Sequence, residues 1–550
     1  MPDSVQSGAG DTAHAAMPVI IDGSPLPLAT LNAIAEGHRG VRLAPTTRRA
    51  IADCHERLRR WSAGGRPLYG VNTGFGEMAS VLIPVSEQGA LQRNLIRSHA
   101  VCAGEPLPPA AARASLLARL MAFARGHSGV SPETADLMAG FLNAGLAPQM
   151  PRQGSLGASG DLGPLAHIAL NLLGEGEIWD AGAWQPAANT LTKYGLRPLD
   201  PGPKEGLALC NGTSAMTGTA VTALMRAWRL LNWAVIGSAL TQQVLGASLS
   251  PLAAHGHALK AHAGQGRIAA ALRGLNQGAT WLTDDHAVIA AMQARSADRE
   301  AVENTNIIIQ NAYTLRCVPQ ILGPVLDHWR FAADTVEREA HAVDDNPVLF
   351  SAFEESFQGG HFHGQYVAMA CDSLAIAIAE LGVLADRQIE RLLDPKTNGG
   401  LPPFLAAGRP GLNCGFEGAQ YRATSIASEN IGLTAPDSVR SLPANGGNQD
   451  VVSMGLNAAN RCLRLCDNVS RILSVLLLAG AQASALRESA GMSPALADHL
   501  NRLPLGTLPY TDTHPLAQQL DTISTELLAP AHDGALAKVI ATGDQPPFSS

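Results

Sequence analysis

The sequence predicts an all-α protein built around a bundle of long helices. Three stretches carry Ala, Leu, Ile and Val at helical spacing, and they cover residues 213–247, 371–394 and 451–487. A helix of about 35 residues is roughly 50 Å long, and small side chains let neighbouring helices approach closely. Strand signals are sparse, and strands do not alternate with helices as they do in a parallel sheet.

The composition predicts four regions along the chain. Residues 1–17 hold no sustained apolar run, so we expect a disordered tail. Residues 18–205 form an N-terminal domain in which Pro and Gly interrupt short helices, and residues 206–490 form the long-helix bundle. Pro395 ends the second long helix, because proline lacks a backbone N–H. Residues 491–550 supply shorter C-terminal helices and a Pro-Pro-Phe-Ser-Ser tail.

Charge and hydropathy limit the classes of partner. The chain has 550 residues, a formal net charge of -8, 46% hydrophobic residues and 16% charged residues. Globular proteins are about 25% charged, so we expect much of this surface to be buried in an oligomer. The acidic balance argues against nucleic-acid and membrane partners. The apolar block at 472–481 is shorter than the roughly 20 residues of a membrane helix, and we expect a soluble cytoplasmic protein acting on a small molecule.

Neither the cysteines nor the histidines predict a metal site. The eight cysteines are scattered and lack paired zinc spacing, which indicates reduced thiols. The histidine pairs His255 with His257 and His361 with His363 have no third ligand at convincing spacing. We therefore expect no metal.

The most informative segment is residues 154–165, Gly-Ser-Leu-Gly-Ala-Ser-Gly-Asp-Leu-Gly-Pro-Leu. In a tight turn the Gly160 nitrogen, which no Cβ shields, can approach the Ala158 carbonyl. Loss of water, including the Ser159 hydroxyl, then leaves a conjugated, electron-poor ring. Ordinary side chains are weak electrophiles, so the segment predicts an electrophile built from backbone. Asp161 and the lack of a following Gly-Lys-Ser/Thr exclude a nucleophile elbow and a phosphate-binding loop.

Four further segments accompany this one. They are 69–76 (Tyr-Gly-Val-Asn-Thr-Gly-Phe-Gly), 209–214 (Leu-Cys-Asn-Gly-Thr-Ser), 310–316 (Gln-Asn-Ala-Tyr-Thr-Leu-Arg) and 445–450 (Asn-Gly-Gly-Asn-Gln-Asp). Together with residues 154–165, they resemble in order the motifs of the aromatic amino acid ammonia-lyases and 2,3-aminomutases. This superfamily includes histidase and the phenylalanine and tyrosine ammonia-lyases. The resemblance runs from about Tyr69 to Gly455.

The resemblance implies a prosthetic group, a fold and an assembly. In that family the tripeptide matched by Ala158, Ser159 and Gly160 becomes 4-methylideneimidazole-5-one (MIO), which forms autocatalytically and without metal. The implied fold is a long central helix bundle of the fumarase/aspartase-like type, with a smaller N-terminal domain that carries the prosthetic-group loop. Family members assemble as homotetramers in which each active site draws on three subunits. The implied substrate is a small aromatic amino acid.

Two tyrosines are the candidate proton-transfer residues. Ammonia is a poor leaving group and the β-proton is weakly acidic, so elimination needs both an electrophile and a base. The resemblance implies that Tyr69 is the catalytic tyrosine on a mobile loop and that Tyr313 assists proton transfer and positions the amine. Free tyrosine ionises only near pH 10, so a tyrosine base requires nearby positive potential or hydrogen-bond donors.

Other residues of these segments are candidates for substrate binding. The resemblance implies that Asn211 hydrogen-bonds at the prosthetic group and that Arg316 holds the substrate carboxylate, for which its planar fork is suited. Gln310, Tyr313 and Arg316 lie three residues apart, which predicts one helical face. The remaining lining is expected from Asn445, Gln449 and Phe350.

Three positions bear on the choice of aromatic ring. The pair Ser98-His99 resembles that of histidases and also that of tyrosine aminomutases, and His99 can hydrogen-bond an imidazole or a phenol. Histidases carry a glutamate where this chain has Gln365, whereas tyrosine and phenylalanine enzymes carry glutamine. Tyr421 adds a hydroxyl that can meet a phenol. Together these residues favour tyrosine.

The expected activity is that of a tyrosine ammonia-lyase, which converts L-tyrosine to 4-coumarate and ammonia. The alternatives are a tyrosine 2,3-aminomutase that gives β-tyrosine, a histidine ammonia-lyase, and a non-catalytic oligomeric binding protein with an intact Ala-Ser-Gly. His361 and Cys414 replace an asparagine and a serine common in the family. The detailed pocket shape, and with it the ranking of substrates, stays open.

Overall fold

The computed structural model describes residues 17–296, 302, 304–305, 307–409, 411–487 and 490–540. It contains two compact units. The first comprises Met1–Thr219, Glu337–Gly364 and Leu442–Val452, and the second comprises Ala220–Val336, Gln365–Ser441 and Ser453–Ser550. The predicted boundaries at residues 205 and 490 do not separate these units, because segments distant in sequence pack together in each of them. Apart from Met17, the predicted terminal tails lie outside the described residues.

Short helices and very short strands build the first unit. Its helices are α1 (Leu28–Ala35), α2 (Pro45–Ala63), α3 (Gln88–His99), α4 (Pro109–Phe123), α5 (Pro132–Asn143), α6 (Leu162–Leu172), α7 (Ala187–Lys193) and α8 (Glu205–Cys210). Its strands are β1 (Val19–Ile21), β2 (Val41–Leu43), β3 (Ala103–Pro106), β4 (Ala147–Pro148), β5 (Pro151–Gln153), β6 (Glu177–Asp180), β7 (Ala183–Pro186), β8 (Val348–Phe350) and β9 (Glu355–Phe357).

The strands form only small sheets. β1 pairs in parallel with β2, and the antiparallel sheets are β3-β5, β4-β6-β7 and β8-β9. The core of this unit lies around α4, in which every residue from Ala110 to Phe123 is buried. Gly218 belongs to the long helix that begins at Ser214, and a Cβ on Gly218 would lie 2.2 Å from the Ser115 nitrogen. This helix therefore packs directly against the α4 backbone.

Helices account for nearly all regular structure in the second unit. They are α9 (Ser214–Val244, which begins in the first unit), α10 (Ala254–Ala258), α11 (Ala263–Asn276), α12 (Asp285–Ser296), α13 (Tyr313–Arg316), α14 (Val318–Ala340), α15 (Gln365–Leu393), α16 (Glu417–Gly432), α17 (Gly455–Ala485), α18 (Pro494–Leu500), α19 (Leu516–Leu527) and α20 (Asp533–Leu536).

The structure is mostly helical, which confirms the all-α prediction. Helices α9, α15 and α17 have 31, 29 and 31 residues and occupy the three predicted stretches. α15 ends at Leu393, just before Pro395, as expected of a residue that cannot continue a helix. A Cβ on Gly480 would lie 2.5 Å from Leu240, so α9 and α17 approach closely where glycine removes the side chain.

Helix α15 combines a buried face with an exposed apolar stripe. By length and composition alone it is apolar enough to cross a membrane, but 72% of its apolar window is buried within the fold, as in a core helix. On its other face, apolar side chains at helical spacing remain exposed: Tyr366 (78%), Met369 (57%), Ile376 (58%) and Val383 (38%). This stripe is uncovered in the single chain.

Candidate active site

The Ala-Ser-Gly segment forms a tight turn in the first unit. Ala158 and Gly160 form an isolated parallel bridge, and Gly160 has φ +69°. A Cβ on Gly160 would lie 2.0 Å from the Gly212 carbonyl oxygen, so only glycine fits this position. The bridge pairs the backbone of Ala158 with that of Gly160, the two residues whose backbone atoms must join in ring closure.

Two amide side chains donate hydrogen bonds to Ser159, which lies between these residues. The Asn211 Nδ2 donates to the Ser159 carbonyl oxygen at 3.0 Å, and the Gln449 Nε2 donates to the Ser159 hydroxyl at 2.8 Å. Asn211 is 4% exposed and follows α8, whereas Gln449 belongs to the loop after residue 444. Donors at both oxygens withdraw electron density from the carbonyl and support departure of the hydroxyl. The local donor set fits an MIO group.

Asp161 is a buried carboxyl directly beside the turn that sequence reasoning did not assign to the site. Its side chain accepts hydrogen bonds from the Ser155 hydroxyl at 2.7 Å and from the Met216 N–H at 2.6 Å. Burial raises the pKa of Asp161 from 3.8 to about 7, and these bonds and Arg119 offset part of that rise. The sequence signal that could have identified it is an acidic residue within residues 154–165, which are otherwise small or apolar.

The raised pKa of Asp161 predicts a pH dependence of stability. The unfolded carboxyl loses its proton near pH 4 and the folded one near pH 7, so the stability that the bound proton confers is lost as pH rises through this interval. Between pH 5 and 8 the cost is up to about 3 kcal/mol. We expect the melting temperature of wild type to fall across this range and that of Asp161→Asn to fall less. Thermal unfolding at pH 5 and pH 8 checks this expectation. The control is Asp200→Asn, because the Asp200 side chain is 87% exposed. An equal change of melting temperature with pH in all three proteins would contradict the prediction.

Tyr69 lies in a loop, and its phenol oxygen accepts a hydrogen bond from the backbone of the same loop. The Gly76 N–H donates to the Tyr69 hydroxyl at 3.0 Å, and the Tyr69 ring meets Phe75 edge-on at 6.4 Å. This hydrogen bond fixes the position of the phenol oxygen relative to the loop backbone. A Cβ on Gly76 would lie 2.6 Å from the Asn445 amide, so the exposed Asn445 packs against the same loop.

His99 and Phe350 lie elsewhere in the first unit. His99 ends α3, and its Nδ1 lies 3.0 Å from the Leu95 carbonyl oxygen and 3.0 Å from the Ser98 hydroxyl. A carbonyl only accepts, so the contact with Leu95 is a hydrogen bond in the tautomer that carries the proton on Nδ1, and in that tautomer Nε2 is an acceptor. Phe350 ends β8 and packs against His127, with ring centroids 5.4 Å apart.

The second unit holds the predicted carboxylate-binding arginine. The Arg316 guanidinium stacks on the Tyr313 ring at 4.9 Å, and its buried Nε has no hydrogen-bond partner among the described residues. Tyr313 itself is 68% exposed. The predicted helical face is wrong for Gln310, because α13 covers only Tyr313–Arg316 and Ala312 is extended. Gln310 is exposed before this helix.

Gln365 and Tyr421 also belong to the second unit. Gln365 begins α15 and donates from Nε2 to the Ser438 carbonyl oxygen at 3.1 Å. Tyr421 is 63% exposed on α16, where its hydroxyl donates to Glu417 at 2.7 Å. Among the residues that the structure describes, no group of three or more His, Cys, Asp or Glu side chains is arranged to hold a metal ion.

Each unit, taken by itself, brings some of the predicted site residues into contact. The first unit joins the turn of Ala158, Ser159 and Gly160 to Asn211 and Gln449 through direct hydrogen bonds. It also joins Tyr69 to Asn445 through Gly76. The second unit joins Tyr313 to Arg316. The assigned roles of these residues remain predictions.

Comparison with known proteins identifies the family. Residues 26–503 match the aromatic amino acid lyase family. The chain belongs to this family. A tyrosine 2,3-aminomutase of Chondromyces crocatus is 49% identical, over 88% of this chain and 91% of its own length. A tyrosine ammonia-lyase of Cupriavidus metallidurans is 44% identical, over 86% of this chain and 88% of its own length.

Solved structures agree with the family assignment. The crystal structure of tyrosine aminomutase from Streptomyces globisporus matches with a TM-score of 0.90 and 36% identity, over 96% of this chain and 100% of that one. A relative from Streptomyces globisporus that is 41% identical, over 87% of this chain and 89% of its own length, is described as an MIO-dependent tyrosine 2,3-aminomutase. The protein is therefore an enzyme of the ammonia-lyase and aminomutase class, whose members act on aromatic amino acids.

Proposed function

We propose that the protein is a tyrosine 2,3-aminomutase, which converts L-tyrosine to β-tyrosine with an MIO group made from Ala158, Ser159 and Gly160. Support comes from the greater identity to a tyrosine aminomutase than to a tyrosine ammonia-lyase, 49% against 44%. The aminomutase activity, which the sequence analysis gave as an alternative, is thus better supported than the tyrosine ammonia-lyase activity that it gave as the main expectation. The single observation that carries the chemistry is the closed turn with donors on both Ser159 oxygens.

Ring formation balances as the loss of two waters. A bond forms between the Gly160 nitrogen and the Ala158 carbonyl carbon, and the Ala158 oxygen leaves with the amide hydrogens of Ser159 and Gly160. The Ser159 hydroxyl then leaves with the hydrogen of its own Cα. Gln449 assists the second loss by donating to that hydroxyl, and Asn211 keeps the Ser159 carbonyl polarised. The finished ring supplies the electrophile that the side chains lack.

The remaining residues bind and move protons. Tyr69 takes the β-proton, aided by the Gly76 N–H at its oxygen. Arg316 binds the substrate carboxylate through its guanidinium, which stacks on the Tyr313 ring. His99 accepts the phenol hydrogen of tyrosine at Nε2, in the tautomer whose Nδ1 proton bonds the Leu95 carbonyl.

We further propose that the enzyme works as a cytoplasmic homotetramer with shared active sites. Tyr313 and Tyr421 are 68% and 63% exposed in the single chain, although both are expected at the substrate. The exposed apolar stripe of α15 presents a surface that association would bury. Sedimentation analysis checks the mass. A catalytically active monomer would contradict this part of the proposal.

The activity is tested by incubating the purified protein separately with L-tyrosine, L-phenylalanine and L-histidine. Chromatography then separates β-amino acids, cinnamates and urocanate. We expect β-tyrosine as the main product from tyrosine. Mainly 4-coumarate would make the enzyme a lyase, and urocanate a histidase. No product together with an Ala-Ser-Gly peptide of unchanged mass would mean a non-catalytic protein.

Replacing Arg316 by glutamine is expected to raise the KM for tyrosine by about 10²-fold, because a buried charged contact to the carboxylate is lost. The kcat should change less than the KM. Steady-state kinetics measure both values. Arg273→Gln is a matched control in the same unit, since Arg273 lies on α11 and bonds the Leu252 carbonyl. An unchanged KM in Arg316→Gln would remove the carboxylate role.

Replacing His99 by phenylalanine is expected to shift the ratio of kcat/KM for tyrosine to that for phenylalanine by about 10-fold or more toward phenylalanine. The variant removes the acceptor for the phenol and leaves an apolar surface for a plain ring. Parallel kinetics with the two substrates give the ratio. His38→Phe, on an exposed loop of the first unit, should leave it unchanged. A retained tyrosine preference would contradict the role of His99.

A further inference from the structure

A buried ion pair lies behind the Ala-Ser-Gly turn in the first unit. Arg119 of α4 pairs with Asp344, and their side chains are only 1% and 3% exposed. The chemistry proposed above uses neither residue. A buried pair of this kind gives little net stability over apolar residues of similar size, because both charges lose their hydration. Net stability therefore does not account for the pair, and its hydrogen bonds to neighbouring backbone indicate its role.

The pair holds the segment that follows α8 from both sides. Arg119 donates to the Ala208 carbonyl at 3.0 Å and also to the Asn211 carbonyl. The Asp344 Oδ2 accepts from the Thr213 N–H at 2.7 Å and from the Thr213 hydroxyl at 3.0 Å. These bonds to charged partners fix the backbone immediately before and after Gly212.

Gly212 in turn forms the wall behind the turn. A Cβ on Gly212 would lie 2.5 Å from Arg119 and 2.7 Å from Asp344, so no side chain fits between them. The Gly212 carbonyl oxygen accepts from the Asp161 N–H at 2.8 Å, and Gly212 forms a parallel bridge with Gly160. Contacts thus run without a gap from the ion pair, through Gly212, to the residue whose nitrogen must attack.

We propose that Arg119 and Asp344 are positioning residues for formation of the MIO ring, an inference that rests on the proposed function. An amide nitrogen is a weak nucleophile, because resonance delocalises its lone pair. Ring closure therefore depends on holding the Gly160 nitrogen against the Ala158 carbonyl carbon, in the geometry of attack. The ion pair prevents Gly212 from receding, and Gly212 prevents the turn from opening.

The test replaces Arg119 by glutamine and, separately, Asp344 by asparagine. The mass of the peptide that contains residues 154–165 reports ring formation as the loss of two waters, without any assay of turnover. We expect the fraction of chains with this mass loss to fall at least 10-fold in each variant. Arg119→Lys keeps the charge and should restore part of the fraction.

Arg113→Gln is the matched control. Arg113 lies on the same helix, is 9% exposed and donates to the backbone carbonyls of Ala35 and Gly145, away from the turn. We expect Arg113→Gln to lose thermal stability and to keep the full mass loss. A ring fraction that falls equally in Arg113→Gln and Arg119→Gln would show general destabilisation and overturn the inference.

The outcomes separate this inference from the proposed function. A wild-type peptide without the mass loss would refute the proposed function itself. A wild-type peptide with the loss, together with an equal loss in folded Arg119→Gln and Asp344→Asn, would refute only the positioning role. If neither variant folds, Thr213→Val removes the hydroxyl that bonds Asp344 at 3.0 Å and also Glu339, and ring formation after refolding should then be at least threefold slower. An unchanged rate in Thr213→Val would also overturn the inference.

Discussion

Replacing Ser159 by alanine is expected to abolish formation of the complete MIO group and to lower the turnover of tyrosine by roughly 10³-fold or more. Alanine has no hydroxyl on Cβ, so the second water cannot leave and the methylidene group cannot form. The bond from Asn211 to the carbonyl of residue 159 would then serve an ordinary backbone turn, and Gln449 would lose the hydroxyl that accepts its hydrogen bond. Peptide mass and steady-state turnover measure the two effects together. Wild-type turnover in Ser159→Ala would refute the assignment of the electrophile.

Ser159→Cys is the matched variant for this experiment. Its thiol can leave as hydrogen sulfide with the same Cα hydrogen, so the product is the same ring and the peptide has the wild-type mass. We expect Ser159→Cys to retain a measurable part of the turnover that Ser159→Ala lacks. Equal inactivity of both variants, with the ring present in Ser159→Cys, would separate ring formation from catalysis and contradict the role of the ring.

Replacing Tyr69 by phenylalanine is expected to lower kcat by about 10²–10⁴-fold, the usual contribution of a positioned general base. The phenyl ring keeps the edge-on contact with Phe75, and only the hydroxyl that accepts from Gly76 is lost. Since Tyr69 does not take part in ring formation, the peptide mass should show the full loss of two waters. Kinetics and peptide mass on the same preparation measure both quantities.

Tyr194→Phe provides the control for Tyr69→Phe. Tyr194 lies in the same unit, is 38% exposed and donates to Asp180 at 2.8 Å. We expect its loss to change kcat by less than about twofold, in line with other surface substitutions. A Tyr69→Phe enzyme that keeps more than a third of the wild-type kcat would exclude Tyr69 as the base.

The long helices were predictable because their signal is local. Apolar side chains recur at helical spacing through α9, α15 and α17, and Pro395 marks the end of α15. The division into units was not predictable in the same way. Residues 337–364 and 442–452 join the first unit through contacts that span hundreds of positions, and composition along the chain does not register such contacts.

The positions of single residues in the candidate site were also only partly predictable from the sequence. Motif order identified the Ala-Ser-Gly turn and the amides that donate to it, but spacing alone misplaced Gln310 on the helix of Tyr313 and Arg316. The structure begins that helix at Tyr313, because Ala312 is extended and the Asn311 side chain is bonded to the Ser248 N–H at 2.8 Å. A bond between residues so far apart in sequence overrides the local pattern.

The sequence by itself determined the helical class, the backbone segment able to make an electrophile, and the resemblance to a family. These properties depend on side-chain periodicity and on covalent chemistry within a few residues. Only the tertiary structure decided that Gly212 closes the space behind Gly160, that Asp161 is buried with a raised pKa, and that Arg119 and Asp344 lie behind them. These properties depend on burial and on hydrogen bonds between distant segments, which exist only once the chain has folded. Motifs and residue spacing therefore could not predict them.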